Sequence, residues 1–181
     1  PTGRKVMEAA SPRLKEVSLE LGGKSPLIIF DDADPEYAAR LALYANFLTQ
    51  GEICANGTRV FVHADVYDAV LKEIVQRTRT LKVGAPDDPD TQIGALISEN
   101  HLGVVNGFVD RAREAGAAVL CGGHRVDVPG HEKGAFYAPT VIADSTDDME
   151  HVREEIFGPV MTVLKFETED EVVARANQSD Y

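Results

Sequence analysis

Cys54 and Cys121 carry the only thiols in the 181-residue chain, and their settings differ. Cys54 lies in Gly51-Glu52-Ile53-Cys54-Ala55-Asn56-Gly57, where the flanking glycines let a ligand come close to the backbone. A thiol in such a loop can be a nucleophile or simple filling. Cys121 ends the apolar run Val119-Leu120, where a small thiol is inert packing. Glu20 stands between Leu19 and Leu21 and runs directly into Gly22-Gly23. Apolar surroundings desolvate a carboxylate and turn it into a general base at neutral pH. Strand alternation that points Glu20 to water is the other reading. The two glycines, which leave room for a ligand, favour the base.

The elements that must position these groups can be read from pattern. KEVSLEL, residues 15–21, alternates as a strand with Glu20 at its end. Residues 27–30, an unbroken apolar run, predict a strand buried on both faces, as in parallel sheets covered by helices. Asp34-Pro35 starts a helix that runs to about residue 49. TRVFVH, residues 58–63, reads as a strand, and Asp65 is placed to cap a helix reaching toward residue 81. Beyond a Pro/Asp/Gly loop, a helix spans residues 98–115 and stops at Gly116. Residues 117–121 and 135–142 read as extended, 149–157 as a short helix and 160–166 as a strand. Thr168-Glu169-Asp170-Glu171 opens a last helix as a capping box. Strands alternating with helices predict an α/β fold with a parallel or mixed sheet flanked by helices.

Composition narrows the function. The net charge of −12 opposes a nucleic-acid partner, and no apolar run is long enough to span a membrane. The acidic clusters at residues 87–90, 147–148 and 167–171 read as solvated surface. Two cysteines without a charged-then-apolar leader point to a reducing, cytoplasmic setting. The absence of CxxC spacing and of a His/Cys cluster argues against a metal site. A start at Pro1-Thr2-Gly3 and an end at Tyr181 read as a piece of a longer protein.

Three separated motifs are ELGGKSP at residues 20–26, GEIC ending at Cys54, 34 residues beyond Glu20, and EEIFGPV at residues 154–160. Together they resemble the NAD(P)-dependent aldehyde dehydrogenase superfamily over essentially the whole chain. ANFLTQG, NGTRVFV and VLCGG are most similar to its betaine aldehyde and 4-trimethylaminobutyraldehyde dehydrogenases. The resemblance implies an aldehyde-dehydrogenase-like catalytic domain over residues 23–181, with residues 1–22 as the fringe of a Rossmann-like coenzyme domain.

It also implies roles. Cys54 adds to the aldehyde, and its backbone N–H and an amide upstream of Pro1 hold the oxyanion. Hydride passes to NAD or NADP and leaves a thioester on Cys54, which water activated by Glu20 hydrolyses. Glu155 holds the nicotinamide ribose, Phe157 packs near the nicotinamide, Leu21 and Gly22 line the coenzyme's approach, and Gly3 ends the pyrophosphate turn. A monovalent cation such as potassium and a homodimer or homotetramer of the full-length protein are further implications. The likeliest implied substrate is betaine aldehyde, and the chain alone is expected to be inactive.

Two positions depart from the family pattern: Glu52, usually glutamine, and Ala55, often threonine in the betaine aldehyde group. If Glu52 lay near the thiol it would oppose thiolate formation and favour a cationic substrate. A cysteine hydrolase or acyltransferase using Cys54 with His63 or His151 is a second reading, but it leaves ELGGKSP and EEIFGPV unexplained.

Overall fold

The computed structural model describes residues 2–181. Helix α1 (Thr2–Ala10) leads through a 3-10 turn (Ser11–Arg13) into an extended stretch, residues 14–25. Then follow β1 (Pro26–Ile29), α2 (Pro35–Phe47), β2 (Arg59–His63), α3 (Tyr67–Thr78), α4 (Glu99–Glu114), β3 (Ala118–Cys121), β4 (Thr140–Ala143), α5 (Glu150–Arg153), β5 (Val160–Phe166) and α6 (Glu169–Asn177). The five strands form one sheet in the order β1-β2-β5-β4-β3. All pairs are parallel except β3 with β4. This is the mixed α/β sheet that the alternation predicted.

Period-two patterning divides the core between the two faces of the sheet. Val60 and Val62 of β2, with Met161 and Val163 of β5, pack under Ala38, Ala39, Ala42 and Phe47 of α2 and under Val70 and Ile74 of α3. Phe61, Leu164 and Phe166 point the other way, against Val172 of α6 and Val152 of α5. A third cluster joins Leu102, Val105, Val109 and Ala112 of α4 to Ile142, Ile156 and Val160.

The helix starts follow capping chemistry. Asp34 accepts from Tyr37 N at 2.8 Å with Pro35 in the first turn, Ser98 accepts from His101 N, and Thr168 from Glu171 N. Asp65 does not cap α3. The N-cap is Val66, which makes no side-chain cap bond. Gly116, at φ +93°, ends α4 in the left-handed conformation that favours glycine.

Four further expectations change. Residues 15–21 form no strand, because alternation supplies a face but a ladder needs a neighbour, and the described residues offer none. β1 is an edge strand with Pro26 exposed and only Ile29 fully buried, not a strand covered on both sides. α2 stops at Phe47 because Thr49 and Gln50 turn left-handed, at φ 51° and 58°. The helix expected over 149–157 shortens to Glu150–Arg153, followed by an extended EEIFGP segment.

Candidate active site

Each of the three motifs is the loop that enters one of three adjacent parallel strands. ELGGKSP feeds β1, the Cys54 loop feeds β2 and EEIFGP feeds β5. Parallel neighbours begin at the same edge, so topology alone brings the motifs together.

Cys54 and Ala55 are the middle of a turn closed by Asn56 N donating to Ile53 O at 3.2 Å. The turn is pinned to the end of α2: Gly57 N donates to Ala45 O, and buried Asn56 donates through Nδ2 to Asn46 O. Upstream, Thr49, Gln50 and Gly51 all have positive φ, and a β-branched threonine is strained there. This kink turns the chain off α2 and lays Gly51 against the backbone carbonyl of Gly158 so closely that a Cβ would overlap it. Gly23 rests in the same way on the carbonyl of Cys54. Both glycines are therefore packing requirements at the site.

Cys54 is half-buried, and its N–H makes no hydrogen bond among the described residues, so it is available to an oxyanion. The thiol faces a cleft of about 650 Å³ lined by Leu21, Gly22, Gly23, Pro26 and Ile28 and, from α6 and beyond, by Val173, Ala176 and Tyr181.

Glu155 Oε1 accepts from Gly23 N at 2.9 Å, and Oε2 lies over Gly22 where a Cβ would collide with it. The second oxygen is left for another donor. A carboxylate against bare glycine backbone, with those glycines lining the cleft that Cys54 also lines, fits the ribose end of a nicotinamide dinucleotide. Phe157 is left-handed at φ 55° and 38% exposed, with its carbonyl bonded to His101 Nε2. Gly3 is buried and packs on Leu21, so two of the expected coenzyme residues meet. Glu20 is exposed on the extended stretch, three residues before the Gly23 contact. The desolvating pocket expected from its leucines is not formed by the described residues, since Leu19 and Leu21 are exposed as well.

Glu52 turns to other partners. Its carboxylate accepts from Ile97 N at 3.1 Å and lies 3.8 Å from His101 Nε2, which donates to Phe157 O. It thus joins the thiol loop to α4 and to the EEIFGP loop. The histidines of the hydrolase reading are also committed elsewhere. His63 Nε2 bonds to Glu167 O, and buried His151 shares a 2.8 Å hydrogen bond with Ser145 Oγ. Burial, helped by the charge of Lys24, pushes His151 down to about 4.

Sequence reading missed Lys24 and Arg59. Lys24 is 3% exposed, and burial, then the charge of Arg59, push it down to about 7 against the pull of Glu155 and Glu154. Arg59 donates to Lys24 O from Nε, at 2.8 Å, and to Arg175 O and Ala176 O at the end of α6. A charged residue opening an otherwise apolar strand was the available signal.

A mixed α/β sheet whose strand-entry loops bring a thiol and a carboxylate to either side of one diglycine narrows the fold to a family. The chain belongs to the aldehyde dehydrogenase family, whose model matches residues 1–181.

Among its relatives, betaine aldehyde dehydrogenase of Vibrio vulnificus (strain YJ016) is 55% identical over 180 residues, 99% of this chain and 37% of that protein. 4-Trimethylaminobutyraldehyde dehydrogenase B of Danio rerio is 54% identical over 182 residues, 99% of this chain and 35% of that protein. Among solved structures, the NAD+ complex of an aldehyde dehydrogenase from Bacillus cereus superposes with a TM-score of 0.92 at 42% identity, covering 99% of this chain and 36% of that one. Betaine aldehyde dehydrogenase from Staphylococcus aureus with NAD+ gives 0.93 at 39%, with the same coverage. The chain spans a little over a third of the length of these relatives.

Proposed function

We propose that the protein carrying this chain oxidises an aldehyde to a carboxylic acid through a covalent intermediate on Cys54, with betaine aldehyde as substrate. The observation that carries the reading is that Gly22-Gly23 lies between Cys54, with which it lines one cleft, and Glu155, which bonds to Gly23 N.

An aldehyde surrenders hydride readily only once its carbon is tetrahedral and electron-rich. The Cys54 thiolate forms the C–S bond, and the carbonyl oxygen takes the negative charge beside the Cys54 N–H. NAD or NADP, held by Glu155 against Gly22, supplies the hydride acceptor when bound. Glu20 takes a proton from the water that attacks the resulting thioester, the C–S bond breaks, and the thiol is restored. Residues 1–22, with Gly3 and Leu21, belong in this reading to the coenzyme side.

Support for a trimethylammonium substrate comes from the relatives, whose names divide between betaine aldehyde and 4-trimethylaminobutyraldehyde at nearly equal identity. The test is NADH formation by the full-length protein with those two aldehydes and an uncharged aliphatic aldehyde of similar length. A large kcat/KM preference for betaine aldehyde is expected. Equal rates on the uncharged aldehyde would remove the substrate assignment and leave the Cys54 chemistry standing.

A further inference from the structure

At the opposite edge of the sheet, where the parallel strands end, three side chains converge that the chemistry above does not use. Ile29 of β1 pairs with Val62 of β2, so two residues on Asp31 comes level with Ala64, between His63 and Asp65. Ligand atoms of Asp31, His63 and Asp65 all lie within 4.8 Å of one another, and His63 Nδ1 is 3.9 Å from Asp65 Oδ2.

Two atoms each about 2.1 Å from one cation stand roughly 3.0–3.4 Å apart at octahedral or tetrahedral angles. The His63–Asp65 pair therefore closes by about half an ångström and the widest pair by up to about 1.5 Å, shifts within reach of rotamer changes in the two exposed aspartates.

The imidazole is already held as a ligand ring is held. Nε2 donates to Glu167 O at 3.0 Å, and the ring stands edge-on to Phe166 with centroids 5.4 Å apart. A backbone carbonyl on the far nitrogen fixes the tautomer that leaves Nδ1 as a lone pair. Nδ1 at present accepts a 3.3 Å hydrogen bond from Asp65 N–H, and a bound cation replaces that donor. Among the described residues neither carboxylate pairs with a lysine or arginine.

We propose that Asp31, His63 and Asp65 bind one divalent d-block cation of the Zn²⁺ or Co²⁺ class, with water completing its shell. One imidazole with two carboxylates favours these ions over Ca²⁺ and Mg²⁺, which prefer all-oxygen shells. The ion ties the end of β1 to the end of β2, and through them the starts of α2 and α3.

The test is calorimetric titration with Co²⁺, and separately Ca²⁺, of the chain carrying Cys54→Ser and Cys121→Ser so that no thiol competes. One Co²⁺ per chain is expected, with a rise in Tm in its presence. Loss of the site is expected in His63→Gln, and binding weaker by about tenfold or more in Asp31→Asn. Asp31 is an exposed turn residue, so Asp31→Asn keeps the test sharp even if His63→Gln folds poorly. Co²⁺ binding undiminished in both variants, or Ca²⁺ binding as tightly as Co²⁺, overturns the proposal.

Discussion

Glu20 and Cys54 divide the proposed reaction in time, and that division can be measured. Replacing Cys54 with alanine in the full-length protein should abolish aldehyde oxidation and ester hydrolysis together, because both need the thiol. Glu20→Gln should spare formation of the first NADH and slow thioester hydrolysis, giving a burst of about one NADH per site followed by a slow steady state. Absence of a burst would place Glu20 before the hydride step. The types and order of these residues were legible in the sequence because a thiol beside glycines and a carboxylate before a diglycine carry chemical meaning locally. The fate of Glu52 was not. Its partners Ile97 and His101 lie more than forty residues away, across a fold that local pattern does not specify. The exposure of Glu20 was equally hidden, since whether leucines desolvate a neighbour depends on what packs over them.

At the scale of elements, Arg59 is a staple between β2, the ELGGKSP loop and the end of α6. Its guanidinium satisfies Ala176 O, which the end of α6 leaves without a backbone partner, and shares Arg175 O with Gln178 N–H. Arg59→Met should cost about 2–4 kcal/mol of stability, because charged hydrogen bonds are lost and carbonyls are left unpaired. Arg125→Met, which breaks an exposed pair with Glu99 and an exposed bond to Gly134 O, should stay within about 1 kcal/mol. Urea unfolding of the two variants checks the contrast.

α5 adds a pH term. His151 is depressed from 6.5 to about 4 in the folded chain, so the unfolded chain binds the extra proton first as pH falls. Stability should therefore be fully present above about pH 6.5 and decline toward pH 4. His151→Gln should flatten that decline in Tm against pH. Helix existence and the caps at Asp34 and Thr168 could be read in advance. The boundary of α2 could not, because nothing local announces that Thr49 and Gln50 will take left-handed angles to serve the thiol loop.

The whole molecule explains why the site escapes local reading: its parts meet only because β1, β2 and β5 are neighbours, and that order is a tertiary fact. The sheet also carries its two functional candidates at opposite edges, the cleft where strands begin and the cation cluster where they end. The chain covers a little over a third of its relatives, and in the proposed reading its coenzyme side is chiefly Glu155, Gly22 and the Leu21–Gly3 contact. By itself it should fold yet give no measurable NADH with any aldehyde, since an oxyanion donor alone is worth roughly 10²–10³ in rate and the resemblance puts one upstream of Pro1. Steady turnover by the purified 181-residue chain would refute this.

The central position of β5 also governs how the molecule comes into being. β5 is the last strand in the chain, yet it sits between β2 and β4. A growing polypeptide that has not reached Val160 holds β1 with β2 on one side and β4 with β3 on the other, with a gap between them and apolar edges open on both sides. The Cys54 turn is synthesised more than a hundred residues before Gly158 arrives to support Gly51. Assembly of the reactive corner therefore waits for β5. Until then β2 keeps one edge unpaired, the kind of surface on which partly made sheets associate wrongly.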